Sequence, residues 1–371
     1  MERNYSIDFV KFFAIFFVVA IHTGTVSNVQ LGNVDGEFVD FLIDIVARFA
    51  VPFFFITSGY LFMHKMNSIQ NGEDVNVFKK QLSYLKRYTV KLVKLYIAWF
   101  IFYFIFELLV KFIETEKMGE ALSSMTSGFI SQFDILDIIY YGTDSPQYHL
   151  WFLLALIYSI IIIFIFMKLR LLKVLFVVSL GFHLYGMFGQ SYSWIYEIPY
   201  DTSDALFFGL FYSSLGAIFA KYNELFNVLA CKIFNIEYIG FLFVLSVAQI
   251  AEAFINIQLL GGQNQNYFIS TIPLSILIFL FIIKYPAIGK NSFVSKIGAN
   301  AVGIYVSHVF VIKAIRMFME QFGLTAVTEQ IIWQILFTPA VFIIAYFFYS
   351  GLKIQKLKCK EFLSRNVYQT T

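Results

Sequence analysis

The stretch DFVKFFAIFFVVAIH, residues 8–22, places a lysine and a histidine in an otherwise apolar run. Lys11 and His22 stand eleven residues apart, which in an α-helix is close to three turns and a rise of roughly 16 Å. Both side chains then lie on nearly one face. Ionisable groups inside a membrane helix are costly and mark a functional site by default. We therefore expect a helix with a basic group near one membrane surface and an imidazole deeper within.

The composition excludes a water-soluble globular fold. The chain has 371 residues, of which 59% are hydrophobic, 20% aromatic and 14% charged, with a mean hydropathy of +0.73, as in a polytopic membrane protein in contact with lipid. Its net charge is only +3, and its lysines and arginines are spread between apolar runs, which argues against nucleic acid as a partner. The two cysteines, Cys231 and Cys359, imply no disulfide framework.

Apolar runs predict an all-α integral membrane fold, a bundle of about ten transmembrane helices. The runs lie at about 8–28, 41–63, 88–111, 149–167, 172–189, 203–221, 234–257, 267–284, 297–319 and 331–353. Lysine and arginine are concentrated in alternate connections, with seven between 65 and 94 and five from Lys353 onward. The positive-inside rule then places both termini in the cytoplasm. We divide the chain into a transmembrane domain, 1–355, and a short basic cytoplasmic tail, 356–371.

Counting residues from the cytoplasmic ends of the helices gives the depth of each polar group. His22, His183 and His308 each fall roughly 11 to 14 residues in, and Arg48 comes to about the same level. The groups expected at the cytoplasmic mouth are Asp8, Lys11, Arg87, Lys91 and Lys94. The pattern predicts a site that is basic at the cytoplasmic end and rich in imidazole further out.

Structural explanations compete with several of these assignments. A membrane histidine such as His183 also fits a hydrogen bond to a backbone carbonyl, and Arg48 also fits an ion pair with Asp44 or a snorkelling anchor. The basic cluster at 65–94 also serves as a topology signal. The sequence has no HxxxH, HExxH or paired cysteines, so it predicts no metal site.

Five blocks in order resemble the bacterial membrane-bound acyltransferase family 3 over nearly the whole chain. Helix 1 is similar to that family's signature of an aspartate and a basic residue followed by histidine. The other blocks are Arg48 with Pro52 to Leu61, a basic run ending at Lys94 before Tyr96 and Trp99, Tyr148 to Phe152, and Ile297 to His308. Each block alone is weak, and five in order are specific.

The sequence also departs from the family pattern. Lys11 stands where the family usually has arginine, and lysine lacks the planar fork that grips phosphate or carboxylate at two points. Lys91 and Lys94 replace a frequent pair of arginines, Leu95 a common proline, and Asp204 a frequent arginine. We expect the minimal transmembrane unit, without the extracytoplasmic esterase-like domain of some members.

The resemblance implies an O-acyltransferase, usually O-acetyl, in the plasma membrane of a bacterium. The acyl group would pass from cytoplasmic acyl-CoA, a donor substrate rather than a permanently bound cofactor, to a hydroxyl of an envelope polysaccharide or lipid-linked saccharide. We assign His22 as general base and Arg48 or His308 as oxyanion stabiliser. The donor-binding residues are Lys11, Asp8, Arg87, Lys91 and Lys94, and His149 and Trp151 would hold the sugar. Asp8, three residues from Lys11, should pair with it.

A saccharide or lipid-linked intermediate transporter or flippase is the alternative, because buried charges also line transport pathways. Many transporters carry an internal repeat, and the sequence has no second copy of the Lys11 to His22 helix. The acceptor, the acyl group and the choice between direct transfer and an acyl-histidine intermediate stay open. So does assembly as a homo-oligomer.

Overall fold

The computed structural model describes residues 3–27, 30–31, 34–72, 76–118, 122–142, 147–263 and 267–369, almost all of them helical. In chain order the α-helices are α1 (Tyr5–Thr23), α2 (Gly36–Ala47), α3 (Ala50–Gln70), α4 (Val77–Met118), α5 (Leu122–Ile130), α6 (Trp151–Lys168), α7 (Leu172–Gly186), α8 (Leu210–Lys221), α9 (Asn223–Lys232), α10 (Asn235–Ala253), α11 (Thr271–Lys284), α12 (Phe293–Gly298), α13 (Ala301–Gln321), α14 (Thr325–Thr328) and α15 (Ile331–Gln369). Two short antiparallel strands, β1 (Gln30–Leu31) and β2 (Val34–Asp35), precede α2.

Several helical segments in the described ranges are long and apolar enough to cross a membrane. There are seven such segments: Tyr5–Thr23, Val77–Ile113, Tyr148–Lys168, Leu172–Gly189, Asn235–Leu259, Ala301–Gln321 and Ile331–Cys359. The pair Ala205–Lys221 and Asn223–Lys232 makes an eighth if its 90° bend is counted within one span. The all-helical membrane fold is confirmed in this form.

The other expected spans have a different form. The run 41–63 is divided between α2 and α3, with a break at Arg48 and Phe49. Pro52 lies in the first turn of α3, where its missing N–H is not needed. This proline favours a new helix start there over one continuous helix. The run 267–284 forms only the 14 residues of α11, and α15 continues through the expected tail to Gln369. Residues 370–371 of that tail lie outside the described residues.

The described residues divide into two compact units. The terminal unit comprises Met1–Ala50 and Tyr285–Thr371, and the central unit comprises Val51–Lys284. In the terminal unit, α1 packs against α2, α12, α13 and α15. In the central unit, α6 packs against α4, α7 and α8, and α11 packs against α9 and α10.

Local capping and a close approach position α1. The Asn4 side chain accepts a hydrogen bond from the Ile7 backbone at the start of the helix, and Gly24 ends it with φ 67°. A Cβ at Gly298 of α12 would overlap the backbone carbonyl of Asp8. Only glycine permits this approach, which holds the end of α1 that carries Asp8 and Lys11.

Small residues also set the packing of the central unit. A Cβ at Gly59 of α3 would overlap the backbone of Ser213 of α8, and one at Gly216 would overlap the backbone of Ile56. Such mutual approach of two backbones is typical of membrane helix pairs, which associate by close packing because lipid supplies no hydrophobic drive.

Candidate active site

The terminal unit brings His22 and His308 together. His22 lies near the end of α1 and His308 lies in the middle of α13, and their ring centroids are 5.0 Å apart with an interplanar angle of 38°. His308 is fully buried, whereas His22 is half-buried. Counting along the helices predicted that these two groups share a level, and their contact confirms it.

A backbone carbonyl orients the ring of His308. Its Nδ1 lies 2.6 Å from the carbonyl oxygen of Tyr305, one turn earlier in α13. Because a carbonyl only accepts, Nδ1 carries the proton and donates it. The ring is therefore fixed in one tautomer.

Arg48 belongs to the same group of side chains. It forms an ion pair with Asp44, one turn earlier, and both side chains are largely buried, at 11% and 14% exposure. Arg48 also acts electrostatically on His22. The pairing with Asp44 is the structural alternative raised from the sequence, and the proximity to His22 is what an electrostatic role in the chemistry requires. Arg48 therefore pairs with Asp44 and also lies close enough to His22 to act on it electrostatically.

Asp8 joins two cations at the opposite end of α1. Its carboxylate lies 3.5 Å from Lys11 Nζ and 2.5 Å from the Arg3 guanidinium, which confirms the expected pairing with Lys11 and adds Arg3. The hydrogen bond with Asp8 raises the pKa of Arg3, which precedes the helix. The three groups sum to a single positive charge, so Lys11 is a weaker attractor of anions than its sequence position suggests.

A chain of hydroxyl groups follows His22, and sequence reasoning missed it. Thr338 Oγ1 of α15 lies 2.6 Å from Thr23 Oγ1 and 2.7 Å from Thr25 Oγ1. The Arg316 guanidinium donates to the Thr23 carbonyl at 3.4 Å. These bonds satisfy groups at the C-terminus of α1 and tie the residue next to His22 to α13 and α15. Thr338 is more than 300 residues from Thr23 and Thr25, so the sequence gives no signal of this contact before the fold is known.

His183 has a different environment, in the central unit. Its ring is fully buried and stacks between Phe211 and Tyr267, at 4.7 Å and 4.8 Å. Nδ1 donates to the Phe207 carbonyl at 3.0 Å, and Nε2 has no hydrogen-bond partner among the described residues. This is the structural alternative that the sequence left open, a histidine bonded to a backbone carbonyl.

His149 and Trp151 lie among aromatic rings of the central unit. His149 is buried and meets Tyr103 edge to face at 4.9 Å, and Trp151 lies 6.0 Å from Phe55 and 5.8 Å from Phe208. The role of the two residues in holding a sugar stays a prediction.

The basic residues of α4 divide into two groups. Arg87 lines a pocket of about 390 Å³ between the end of α3 and the start of α4, together with Lys65, Lys80 and Tyr84. Lys91 and Lys94 are exposed one and two turns further along α4 and do not line it. The sequence reasoning included Arg87 and missed Lys65 and Lys80. The spacing of Lys80, Tyr84 and Arg87, which puts them on one helix face, is the signal that could have found the pocket.

The described residues contain no group of three or more histidine, cysteine, aspartate or glutamate side chains that could hold a metal ion. The polar groups of the terminal unit offer imidazole, guanidinium and ammonium, which together can take up a proton and stabilise negative charge.

A family model described as an acyltransferase domain, Acyl_transf_3, matches residues 4–350. The chain belongs to acyltransferase family 3. The resemblance inferred from the five sequence blocks is thereby confirmed, and the matched region includes both the terminal and the central unit. Family membership supports a membrane acyltransferase.

Two curated relatives, both named amino-acid racemase and both from Enterococcus faecalis, are also similar to this family member. One is 27% identical over 235 residues, covering 60% of this chain and 28% of the relative, and the other is 27% identical over 261 residues, covering 65% and 32%. The chain thus spans about three-tenths of the length of these relatives. No solved structure gives a significant match.

Proposed function

We propose that this family member transfers an acyl group, most simply acetyl, from cytoplasmic acyl-CoA to a hydroxyl group of an envelope polysaccharide or lipid-linked saccharide. The contact between His22 and His308 is the observation that carries the proposal. His22 lies near one end of α1, and Lys11 lies toward the other end. An imidazole that is half-buried rather than sealed in the core can meet a substrate and accept a proton from its hydroxyl group.

His22 is the general base in this proposal. It removes the proton from the sugar hydroxyl as that oxygen attacks the thioester carbonyl carbon. The tetrahedral intermediate then expels the CoA sulfur, the C–S bond breaks, and the imidazolium returns its proton to the thiolate. The products are the O-acyl sugar and CoA thiol, so proton and charge balance without a further reactant.

Arg48 is the proposed stabiliser of the oxyanion, with His308 as the alternative. The negative charge that develops on the thioester oxygen needs a fixed cation or donor in a site of low dielectric. Arg48 already interacts electrostatically with His22, and its ion pair with Asp44 holds the guanidinium in one orientation. His308 with Nδ1 bonded to Tyr305 is better suited to orient the ring of His22.

The rise of α1 agrees with the length of the donor. Lys11 and His22 are separated by roughly 16 Å along the helix, about the length of a pantetheine arm. Lys11 would attract a phosphate of CoA while the thioester reaches the imidazole. In the proposed topology the chain crosses the plasma membrane of a bacterium ten times, with both termini and the donor in the cytoplasm.

The curated relatives are named for racemisation, but they are far longer than this chain. The matched parts make up 28% and 32% of those relatives, so a racemase activity can belong to parts that this chain does not match. We propose acyl transfer for the region shared with the family.

Mass analysis of envelope glycans tests the proposal. Cells lacking the gene would be complemented with the wild-type chain, with His22→Ala, or with Phe13→Ala, an exposed position on the same helix. We expect an acyl increment with the wild type and with Phe13→Ala and its absence with His22→Ala at equal protein level. The same mass increment in all strains, including the null, would overturn the proposal.

A transporter gives a different result in the same experiment. If the glycans keep their acylation but fail to reach the cell surface in the null strain, the buried charges line a transport pathway and no bond is made.

A further inference from the structure

We propose that Asp40 of α2 binds the acceptor saccharide beside His22, by accepting a hydrogen bond from a hydroxyl group next to the one that is acylated. The inference rests on the proposed function and deepens it, because it names a residue that determines specificity and a class of acceptor. That class is a neutral sugar ring with two neighbouring secondary hydroxyl groups, one of which stays free in the product.

One face of α2 carries charged groups to the end of α1. Asp40, Asp44 and Arg48 follow one another at intervals of four residues, which places them on the same side of the helix. α2 packs against α1. Arg48 acts electrostatically on His22, and Asp40 accepts a hydrogen bond from the Thr25 backbone. All of these residues belong to the terminal unit.

Asp40 and His22 lie within reach of a single sugar ring. Thr25, which binds Asp40, follows His22 by three residues, so the Cα atoms of Thr25 and His22 are at most roughly 11 Å apart. Two hydrogen bonds of about 2.8 Å each, together with two adjacent carbon atoms of a sugar, cover a distance of this order. One hydroxyl group can therefore meet the carboxylate while its neighbour meets the imidazole.

Asp40 lacks a compensating cation. It forms no ion pair among the described residues, whereas Asp44 pairs with Arg48. Burial, and then the charge of Asp44, raise the pKa of Asp40 to about 6, so the group is still ionised at neutral pH. A half-buried carboxylate in this position is costly unless it is hydrogen-bonded, and such placements are concentrated at functional sites.

Helix capping does not account for Asp40. Asp35 already caps α2, with its side chain accepting a hydrogen bond from the Glu37 backbone. Asp40 is the fifth residue of the helix, which begins at Gly36, and the favourable effect of the helix dipole on a carboxylate falls off within the first turn. An ionised carboxylate has about four acceptor positions. The Thr25 backbone uses one of them, which leaves others for hydroxyl groups of a ligand.

The hydroxyl chain behind His22 holds the partner of Asp40 in place. Thr338 Oγ1 lies 2.7 Å from Thr25 Oγ1 and 2.6 Å from Thr23 Oγ1. The segment that binds Asp40 is thus tied to α15 before an acceptor arrives, which lowers the entropic cost of binding.

The chemistry of a carboxylate defines the acceptor. An ionised carboxylate only accepts hydrogen bonds, so it binds hydroxyl groups and repels a phosphate or a carboxylate at the same place. The bound hydroxyl group must stand on the carbon next to the acylated one. The exocyclic primary hydroxyl group of a hexopyranose has no such neighbour, because the adjacent carbon carries the ring oxygen. We therefore expect acylation of a secondary ring hydroxyl group.

Glu37 supplies a matched control on the same helix. It lies one turn before Asp40, its side chain is exposed, and its replacement removes the same charge. Asp40→Ala removes the carboxylate. Asp40→Asn keeps the shape and an oxygen that can accept from the Thr25 backbone, so it protects the test against misfolding. Glu37→Ala and Glu37→Gln are the corresponding controls.

The test is acetyl transfer by the full chain in phosphatidylcholine nanodiscs, with radiolabelled acetyl-CoA and envelope glycan isolated from the null strain. We expect Asp40→Ala to raise the apparent KM for the glycan at least roughly 10-fold, since a charge-assisted hydrogen bond is lost. Asp40→Asn should raise it at least about 3-fold, because neutral hydrogen bonds are weaker. The KM for acetyl-CoA, and both KM values of the Glu37 variants, should stay within about 2-fold of wild type.

The structure of the product is a second measurement. NMR of the glycan acetylated by the wild type should place the acetyl group on a secondary hydroxyl group whose neighbouring carbon carries a free hydroxyl. Acetylation of a primary hydroxyl group would overturn the assignment of Asp40 and leave the proposed function intact.

The kinetic failures are also separable. If the wild type transfers acetyl and Asp40→Asn keeps the wild-type KM for the glycan, or matches Glu37→Gln, Asp40 does not bind the acceptor. If Asp40→Asn raises both KM values and lowers the unfolding temperature, Asp40 is a structural residue only. If the wild type itself transfers no acetyl group to the glycan, the proposed function is wrong.

Discussion

Two histidines of this chain, His22 and His183, have opposite surroundings. His22 in the terminal unit is half-buried, contacts a second histidine and interacts electrostatically with Arg48. His183 in the central unit is sealed between two aromatic rings and bonded to a backbone carbonyl. Depth in the membrane therefore does not identify a reactive histidine. The neighbours of the histidine identify it. Charged and titratable neighbours favour proton transfer, whereas aromatic neighbours only pack against the ring.

The largest expected effect separates these two histidines by rate. His22→Ala should lower kcat/KM for acyl transfer by roughly 10²–10⁴-fold, the contribution typical of a general base, with little change in thermal stability. His183→Phe keeps an aromatic ring in the stack and removes the side-chain hydrogen bond to the Phe207 carbonyl. It should cost about 1–3 kcal/mol of stability, with activity per folded molecule within a few-fold of wild type.

Purified protein in proteoliposomes, with its folded fraction measured by thermal unfolding, would give both values. A His183→Phe protein that unfolds at the wild-type temperature yet is inactive would show that the comparison is wrong and that His183 takes part in the chemistry.

Arg48 tests whether the charge beside His22 is structural or chemical. Arg48→Gln should lower kcat by roughly 10²–10³-fold if the guanidinium stabilises the oxyanion. It should also destabilise the fold, because it leaves the largely buried Asp44 carboxylate without its partner. The double variant R48Q/D44N removes both charges, so stability should recover while activity does not.

The cycle of Arg48→Gln, Asp44→Asn and the double variant, measured for both unfolding and kcat, separates the two roles. Recovery of activity together with stability would leave Arg48 as a structural ion-pair residue only.

Gly298 tests whether the position of α1 matters to the site. Gly298→Ala places a Cβ against the Asp8 carbonyl, so α1 or α12 must shift, with an expected loss of about 1–3 kcal/mol in stability and a loss of activity. Gly351→Ala in α15 meets no atom within 4 Å and should be neutral or slightly stabilising, because alanine favours the helix. Thermal unfolding and acyl transfer of both variants, compared in one membrane, check this. Equal behaviour of the two would show that the approach of α12 to α1 is not needed.

The smallest effect concerns the hydroxyl chain behind His22. Thr338→Val keeps the shape and removes the bonds to Thr23 and Thr25, for a loss of about 0.6–1.5 kcal/mol and a few-fold fall in kcat. Thr338→Ser keeps the hydroxyl and should retain kcat. A valine variant with unchanged kcat but lowered stability would limit the chain to a structural role.

Sequence reasoning succeeded where counting residues along each helix suffices. The rise per residue is constant, so the spacing from Lys11 to His22, the pairing of Asp8 with Lys11 and the common level of His22 and His308 follow from counting. It was less complete where the packing of two helices, or a break within an apolar run, determines the structure. The run 41–63 was read as one helix, since apolar composition is the same on both sides of Arg48 and Phe49, and the pocket residues Lys65 and Lys80 were counted only as charge.

The membrane environment, the family and the common level of His22 and His308 could be read from the amino-acid sequence alone. These depend on composition, motif order and a fixed helical rise. The packing of the helices determines which groups come together: His308 contacts His22, Thr338 contacts Thr23, and Lys65 and Arg87 line one pocket. The physical reason is that helices in lipid choose their neighbours by close packing and polar contacts, and both depend on the side chains of two helices at once.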